Sequence, residues 1–281
     1  MTRSRVAVAT VLAMIAFAGN SLLCRVALKA THIDAATFTS VRIVAGAGVL
    51  WLIVRLRDRA PGGAGNWLSA LALFAYACGF SFAYTSLPAG TGALLLFGAV
   101  QATMIGYGLW SGERLRGLQV IGLAGAFAGL IGLMLPGVAA PSLQGSGLML
   151  AAGLAWGIYS LRGRNGGEPT RTTAGNFLRA VPFAAALSIA TLPWISPDPV
   201  GIGCAFVSGA LTSGVGYAIW YTALKGLRAT QAATVQLSVP LIAAAGGIAF
   251  LGEHLTLRLL IAAVAILGGI ALVIFNRQRA A

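Results

Sequence analysis

The chain is dominated by long apolar runs that contain no charged residue. No charge occurs from residue 89 to 112, and none occurs from 117 to 161, where Pro136 and Pro141 divide the run in two. A helix needs about 20 apolar residues to cross a bilayer, whereas the strands of a membrane barrel would alternate apolar and polar positions. The pattern therefore predicts an all-α membrane protein with ten transmembrane helices, at residues 6–28, 35–54, 67–86, 90–111, 117–135, 145–161, 173–193, 201–223, 229–251 and 258–275.

The second part of the chain repeats the first. Gly-Glu-Arg-Leu at residues 112–115 recurs as Gly-Glu-His-Leu at 252–255, about 140 positions later. Tyr-Thr-Ser-Leu at 84–87 likewise recurs as Tyr-Thr-Ala-Leu at 221–224. The repeat predicts two five-helix units, residues 1–139 and 140–281. Because five is an odd number, the second unit should enter the membrane inverted, an arrangement typical of secondary transporters with a substrate site near the bilayer midplane.

Composition agrees with lipid as the main solvent. Hydrophobic residues make up 58% of the chain, charged residues 9%, and the mean hydropathy is +0.87, whereas soluble domains carry about 25% charge. Most of the 19 lysines and arginines fall in the loops of one side, which predicts that both termini are cytoplasmic. The net charge of +13 is thus a topological signal. We expect no nucleic-acid partner, because a phosphate-binding stripe needs a basic soluble face.

These features resemble the drug/metabolite transporter superfamily, EamA type. The resemblance rests on the ten helices in two inverted units, the doubled Gly-Glu-x-Leu, the glycine-rich helices after it, Trp156-Gly157 in the sixth helix and Arg42 in the second. Phe17 departs from the pattern, because many members have tryptophan there. The resemblance implies a multi-pass exporter of small metabolites in a bacterial inner membrane. Exporters of amino acids, including aromatic ones, are among the members most similar in length and character.

Polar and aromatic residues deep in the predicted helices are the candidates for a substrate cavity. A hydroxyl or amide group in lipid must find a partner or line a wet cavity. Several of these residues correspond to one another through the repeat, on helices expected to face its interface. The predicted cavity set is Asn20, Phe80, Tyr84, Gln101, Trp156, Tyr159, Ser213, Tyr217, Trp220 and Gln236. Aromatic stripes can equally be core packing, and that alternative stays open.

Charged residues within or beside the spans have two interpretations each. Arg42 and Arg179 occupy matching places in the second and seventh helices. An intramembrane arginine suggests a contact with substrate charge, or a structural tie to neighbouring carbonyl groups. Glu113 and Glu253 recur in the repeat, but both lie at helix ends. We expect them to mark the repeat structurally, by anchoring a turn and capping the helix that follows.

The remaining expectations concern packing and chemistry. Gly122, Gly125, Gly129 and Gly132 are expected to form one small helix face. None of the six acidic residues lies at mid-membrane in the predicted spans, so we expect a facilitator or exchanger for neutral or zwitterionic amino acids. A proton-coupled multidrug exporter is the alternative, and a membrane-embedded enzyme is an alternative of another class. No catalytic or metal-binding motif supports an enzyme. We expect a small-molecule substrate, the lipid bilayer as the surrounding partner, no cofactor or metal, and a functional monomer.

Overall fold

A computed structural model describes residues 3–57, 64–112, 114–115, 117–137, 140–163, 168–224, 226–227 and 229–278. The described residues form ten long helices, which confirms the predicted all-α fold. The helices are α1 (Arg3–Ala30), α2 (Ala35–Arg57), α3 (Trp67–Tyr84), α4 (Ala89–Trp110), α5 (Gly117–Met134), α6 (Leu143–Gly163), α7 (Pro169–Ala190), α8 (Pro199–Leu224), α9 (Ala229–Gln236 and Ser238–Leu251) and α10 (Leu257–Gln278).

The helices have the length and surface of membrane spans. Eight of them are long and apolar enough to cross a membrane, and α6 and α7 fall outside that group. Large apolar side chains lie on the outside of the bundle, with Trp110 85% and Phe250 81% exposed. Such a surface suits lipid, while polar side chains such as Asn20, Arg42 and Asn176 are buried inside. The molecule therefore has an apolar exterior around a partly polar interior.

Side chains in the loops begin several helices by capping them. Asn66 accepts a hydrogen bond from the Ser69 N–H at the start of α3, and Asp198 accepts one from the Gly201 N–H at the start of α8. Asp34 caps α2 through the Thr37 N–H at 2.8 Å. The first N–H groups of a helix have no partner within it, so these acceptors satisfy them. Polar residues between the apolar runs therefore fix where the spans start.

Two helices are irregular. In α8 the segment Ser208–Val215 is π-helical, a form that is frequent at functional sites. In α9 the helix is interrupted at Leu237, three residues before Pro240. Proline lacks an N–H and its ring clashes with the preceding turn, which accounts for the break in what the sequence predicts as one span, 229–251. In contrast, α7 continues through Pro182.

The helix contacts of one half have counterparts in the other. Helix α3 packs against α6 and α7, and α8 packs against α1 and α2. Helix α4 contacts α6, and α9 contacts α1, while α2 packs along α7 and α5 along α10. Exchanging α1–α5 with α6–α10 turns this set of contacts into itself. Two related five-helix units would produce such a set, and their inverted orientation stays a prediction.

The glycines of α5 differ in how closely they approach α10. A Cβ added at Gly122 would lie 2.5 Å from the Gly269 carbonyl oxygen, and one at Gly129 would lie 2.7 Å from the Ala265 Cβ, both on α10. Nothing lies within 4 Å of the same position at Gly125 or Gly132. A helix turns by about 100° per residue, so residues seven apart are about 20° apart around the axis, but residues three apart are about 60° apart. The four glycines therefore lie within about 80° of one another on one side of α5, and of these four Gly122 and Gly129 make the close contact with α10.

Candidate functional site

A small cavity lies between α1, α3, α4, α6 and α8, inside the bundle. Its volume is about 20 Å³, enough for roughly one water molecule and too small for an amino acid. Its lining is aromatic with several polar groups, and consists of Phe17, Asn20, Ser21, Tyr76, Phe80, Leu96, Phe97, Trp156, Thr212 and Tyr217. We call it the central cavity. It joins side chains from both predicted halves.

Asn20 in α1 is the centre of a buried hydrogen-bond network beside the central cavity. Its Oδ1 accepts hydrogen bonds from Ser208 Oγ at 2.6 Å and from Thr212 Oγ1 at 3.2 Å. Its Nδ2 donates to the Tyr76 hydroxyl at 3.3 Å. Both α8 partners lie in the π-helical segment, so one amide side chain of α1 holds two residues of this irregular segment.

Arg42 in α2 lies next to this network and is only 2% exposed. Its Nη2 donates to the Tyr76 hydroxyl at 3.0 Å, and its Nε donates to Ser213 Oγ at 3.3 Å. The guanidinium carbon lies 4.9 Å from the ring centre of Phe80 and 5.2 Å from that of Tyr76, within range of a cation–π attraction. The third nitrogen, Nη1, is buried and has no hydrogen-bond partner.

No described carboxylate neutralises Arg42. Across the ranges that the structure describes, the one ion pair joins Arg25 to Glu253. An arginine remains protonated in proteins, and a buried charge without a partner is costly. The charge of Arg42 is therefore offset by neutral dipoles and two aromatic faces, and one of its donors is left unused.

Aromatic rings form the wall around these polar groups. The ring centres of Tyr76 and Trp156 are 4.8 Å apart, and those of Trp156 and Tyr217 are 5.1 Å apart. Tyr76 lies 5.5 Å from Phe80, and Phe17 lies 5.8 Å from Tyr217. Contacts of this kind connect α1, α3, α6 and α8, so a ligand between them would meet ring faces on several sides.

The predicted cavity residues divide into three groups. Asn20, Phe80, Trp156 and Tyr217 line the central cavity. Ser213 lies behind the lining as the partner of Arg42. The remaining five residues do not line the central cavity: two pack behind its wall and three lie farther away.

Two of those five pack behind the aromatic wall. The ring of Tyr159 lies 5.4 Å from that of Trp156, and its hydroxyl accepts a hydrogen bond from Asn176 at 3.5 Å. Trp220 makes an edge contact with Phe17 at 5.8 Å. Both side chains are buried and support the lining from outside.

The other three lie away from the central cavity. Tyr84 fills the turn between α3 and α4, donates to the Ala89 carbonyl at 3.2 Å and lies against Gly92. Gln101 is buried in α4, one turn beyond Phe97, and Gln236 is half-buried at the end of the first α9 segment. None of these three residues is among those that line the central cavity.

Arg179 differs from Arg42 although the two match in the repeat. Its Nη1 donates to the Ala64 carbonyl at 3.2 Å and to the Gly175 carbonyl at 3.0 Å. The side chain ties α7 to the segment before α3, outside the central cavity. Of the two arginines, only Arg42 lies beside the site.

Glu253 joins three elements at one end of the bundle, which we call the Glu253 end. Its Oε1 and Oε2 accept hydrogen bonds from the Ala89 N–H at 3.1 and 2.8 Å, and Arg25 Nε lies 3.3 Å from Oε1. The expected cap on the following helix is instead made by Thr256, which accepts from the Leu259 N–H. Glu253 thus caps α4, in the other half. Glu113 lies outside the described residues.

A larger cavity of about 270 Å³ lies at the Glu253 end. Its lining includes Ser86, Thr91, Ser142, Glu253 and His254. It is separate from the central cavity, since the two linings have no residue in common. Within the described ranges, no group of three or more histidine, cysteine, aspartate or glutamate residues could hold a metal ion.

Three important residues were absent from the predicted set. Tyr76 accepts from both Arg42 and Asn20, and its spacing of four residues before Phe80 does indicate it as a candidate in the sequence. Thr212 and Ser208 hold Asn20 through the π-helical segment. The two residues are four apart and share a helix face, but the sequence alone does not show that this face meets Asn20.

Comparison with known proteins shows similarity to membrane transporters. The family model described as EamA-like transporter family matches residues 143–275, from the first residue of α6 into α10. The chain is 55% identical over 278 residues to the uncharacterized protein PA1977 of Pseudomonas aeruginosa, covering 99% of this chain and 97% of that protein.

Two further similarities are more distant. The chain is 34% identical over 120 residues to the threonine/homoserine exporter RhtA of Escherichia coli K12. This alignment covers 41% of the chain and 39% of that exporter. One crystal structure matches with a TM-score of 0.70 and 18% identity, over 99% of this chain and 100% of that one. At this identity the structural match concerns the fold alone.

Proposed function

The chain belongs to the EamA-like transporter family of the drug/metabolite transporter superfamily, and on that premise we propose that it exports amino acids with aromatic or apolar side chains. It is a membrane exporter of small metabolites and a multi-pass protein of the bacterial inner membrane, and as a transport protein it is not an enzyme. The substrate class, the mechanism and the orientation of the termini belong to the proposal.

The lining of the central cavity is the observation that carries this substrate class. Ring faces from Phe17, Tyr76, Phe80, Trp156 and Tyr217 surround a few hydrogen-bonding groups. Ligand sites commonly combine an apolar wall with a small number of polar groups that orient the ligand. An amino acid with an apolar side chain matches both parts. The similarity to a threonine/homoserine exporter supports amino acids as a class.

Transport through this cavity requires a conformational change. A volume of about 20 Å³ admits no amino acid, so α8 and its neighbours must separate from the first half before substrate binds. Regular α-helical hydrogen bonding is already interrupted in the π-helical segment Ser208–Val215 of α8 and at Leu237 of α9. These two helices can therefore bend at these points with little further loss of hydrogen bonds. Alternating access of residues 1–139 and 140–281, as inverted halves, is the movement we propose, with both termini cytoplasmic.

Facilitated diffusion or exchange is the proposed energetics. The central cavity contains no carboxylate among its lining residues, and a carboxylate that binds proton and substrate alternately is the usual device for coupling. A proton-coupled multidrug exporter is the alternative. It would need an acid beside the substrate, whereas the charge found there, Arg42, is positive. We propose that one chain is the functional unit, because the central cavity is built within it.

Counterflow in proteoliposomes tests the substrate class. Vesicles preloaded with one unlabelled amino acid should transiently accumulate the same labelled compound without any ion gradient, since exchange alone drives the uptake. The panel should contain phenylalanine, tyrosine, tryptophan, leucine, threonine and homoserine, with ethidium as a cationic drug and protein-free liposomes as the control.

The outcomes separate the alternatives. Accumulation of aromatic or apolar amino acids supports the proposal, and accumulation of threonine and homoserine alone would overturn the aromatic preference. Uptake of ethidium alone would indicate a multidrug exporter. Concentrative uptake that depends on a proton gradient would contradict facilitated transport.

A further inference from the structure

We propose that Tyr76 and Asn20, which line the central cavity, form a carboxylate-binding subsite together with the adjacent Arg42, which makes the carboxylate the group by which substrates are selected. The inference rests on the proposed function and specifies which part of an amino acid the protein recognises. Its basis is a buried cation with an unused donor, beside a cavity without a described acid.

Arg42 has a donor available for a ligand. The residue is 2% exposed, and its buried Nη1 has no hydrogen-bond partner. Guanidinium groups bind carboxylates through two parallel N–H···O bonds. A bound carboxylate would use Nη1 and neutralise a charge that no described acidic residue pairs with.

Tyr76 and Asn20 add neutral donors beside Arg42. The Tyr76 oxygen already accepts from Arg42 Nη2 and Asn20 Nδ2, so its own proton is left for another acceptor. Asn20 Nδ2 has two hydrogens, and one bond to Tyr76 uses only one of them. A carboxylate next to these groups would therefore meet a guanidinium, a hydroxyl and an amide donor.

Separation of the halves would make these donors accessible. The Arg42–Ser213 bond and both bonds that Asn20 accepts connect the first half to α8. When α8 moves away, these groups lose their protein partners. A substrate carboxylate then accepts from Arg42 at Nη1, while Arg42 Nε and Asn20 Oδ1, released from α8, are hydrated in the open cavity.

The amino group has no corresponding partner. The central cavity offers ring faces and neutral oxygens, and no carboxylate is among its lining residues. An ammonium group can bind to aromatic faces, but the same positive charge is repelled by Arg42. The subsite thus predicts that a compound without the amino group still binds, whereas one without the carboxylate does not.

Competition with the wild-type protein tests this prediction directly. Counterflow of labelled phenylalanine, or of the best substrate from the panel, is measured with two analogues of similar shape, 3-phenylpropionate and 2-phenylethylamine. We expect 3-phenylpropionate to inhibit at about the concentration at which phenylalanine does, and 2-phenylethylamine to need about tenfold more or higher. Equal inhibition by the two analogues, or stronger inhibition by the amine, would overturn the inference.

Variants at the two matching arginines separate binding from folding. R42Q should raise the half-saturating substrate concentration about tenfold or more and remove the preference for 3-phenylpropionate. R179Q removes an arginine that donates to the Ala64 and Gly175 carbonyls and does not line the central cavity, so it should keep the preference. R42K keeps the charge but not the planar pair of donors, and should retain the preference with weaker binding. An unchanged preference in R42Q would contradict the subsite.

Failure of this inference differs from failure of the proposed function. If no amino acid shows counterflow, the proposed function is wrong. If amino acids are transported while the amine competes as well as the acid, the function stands and the subsite is wrong. The analogue series needs no variant, so it decides the question even if R42Q does not fold.

Discussion

The backbone N–H group of Ala89 donates a three-centre hydrogen bond to both carboxylate oxygens of Glu253, with N···O distances of 2.8 and 3.1 Å. Ala89 is the first residue of α4, and Glu253 lies between α9 and α10. The contact joins the two predicted halves at one end of the bundle. It also places a negative charge at a helix N-terminus, where the helix dipole favours it. Arg25 on α1 completes the junction by pairing with the same carboxylate.

Replacement of Glu253 by glutamine should destabilise the protein. The side chain of Glu253 is 10% exposed, and E253Q removes the ion pair with Arg25 and the charge that caps α4. Loss of a cap costs about 0.5–2 kcal/mol, and each kcal/mol corresponds to a fall in melting temperature of about 2–4 °C for a chain of this size class. Differential scanning fluorimetry in detergent measures the change.

The matched control is E168Q. Glu168 also caps a helix, but it is exposed and accepts from its own helix, at the Arg171 N–H. We expect a smaller fall in melting temperature there. Equal melting temperatures for E253Q and E168Q would show that the junction between the halves contributes no more than an ordinary surface cap.

Asp34 should make stability depend on pH in the acidic range. Partial burial acts to raise the pKa of its carboxyl group, but hydrogen bonds from the Ser196 N–H and from the N–H and hydroxyl of Thr37 outweigh this and lower the pKa below 3.8. A lowered pKa means that this contribution is fully present above the ordinary value and is lost as the pH falls through the lowered one.

The measurement compares the wild type with D34N at neutral pH and at about pH 3, below the ordinary pKa. The difference in melting temperature should be largest at neutral pH and should shrink on acidification, because only the wild type loses an ionised acceptor. A constant difference at both pH values would mean that ionisation of Asp34 does not contribute.

Much of the fold was predictable from the sequence, because lipid imposes one strong pattern. Apolar runs separated by polar residues located ten helices, and the repeat indicated Tyr217 as a counterpart of Phe80. Rotation and depth were harder to predict. Tyr76, Phe80 and Tyr84 are spaced by four, but eight residues extend about 12 Å along a helix, so Tyr84 leaves the level of the cavity and reaches the turn.

The central network depended on features that a single sequence does not reveal. Asn20 contacts Ser208 and Thr212, which lie in the π-helical part of α8. The matching positions of Arg42 and Arg179 suggested equal roles, yet only Arg42 has aromatic neighbours and a buried free donor. The position of a residue along its helix was therefore predictable from the sequence. Whether that residue lies beside the cavity or supports the structure elsewhere was not.

Glycine substitutions in α5 should have opposite effects at neighbouring turns. G122A would bring a Cβ to within 2.5 Å of the Gly269 carbonyl oxygen and 2.9 Å of the Leu272 Cβ, so α5 and α10 would have to move apart. Overpacking of this kind costs about 1–3 kcal/mol. G125A meets nothing within 4 Å, and alanine favours a helix over glycine by up to about 1 kcal/mol.

Melting temperatures of the two variants test this contrast within one helix. We expect G122A to melt several degrees lower than the wild type, and G125A to melt at the same temperature or slightly higher. If both variants lower the melting temperature equally, the close contact between α5 and α10 does not depend on the absence of a side chain at Gly122.

Removal of the Tyr76 hydroxyl should weaken both stability and transport. In Y76F, Arg42 Nη2 and Asn20 Nδ2 lose their acceptor, and a buried donor without a partner costs about 1–3 kcal/mol, with more for a charged group. Y107F is the control, because Tyr107 lies on α4 with 46% of its surface exposed. We expect Y76F to lower the melting temperature and slow counterflow, and Y107F to change neither.

The double variant with R42Q shows whether these residues act as one unit. Residues that share a network give non-additive changes of about 0.5–3 kcal/mol, whereas independent sites add. Since Arg42 and Tyr76 share a bond of 3.0 Å, the loss of stability in Y76F/R42Q should be smaller than the sum of the two single losses. Additive losses would mean that Tyr76 acts through its ring alone, and its hydroxyl would then have no part in holding the guanidinium beside the cavity.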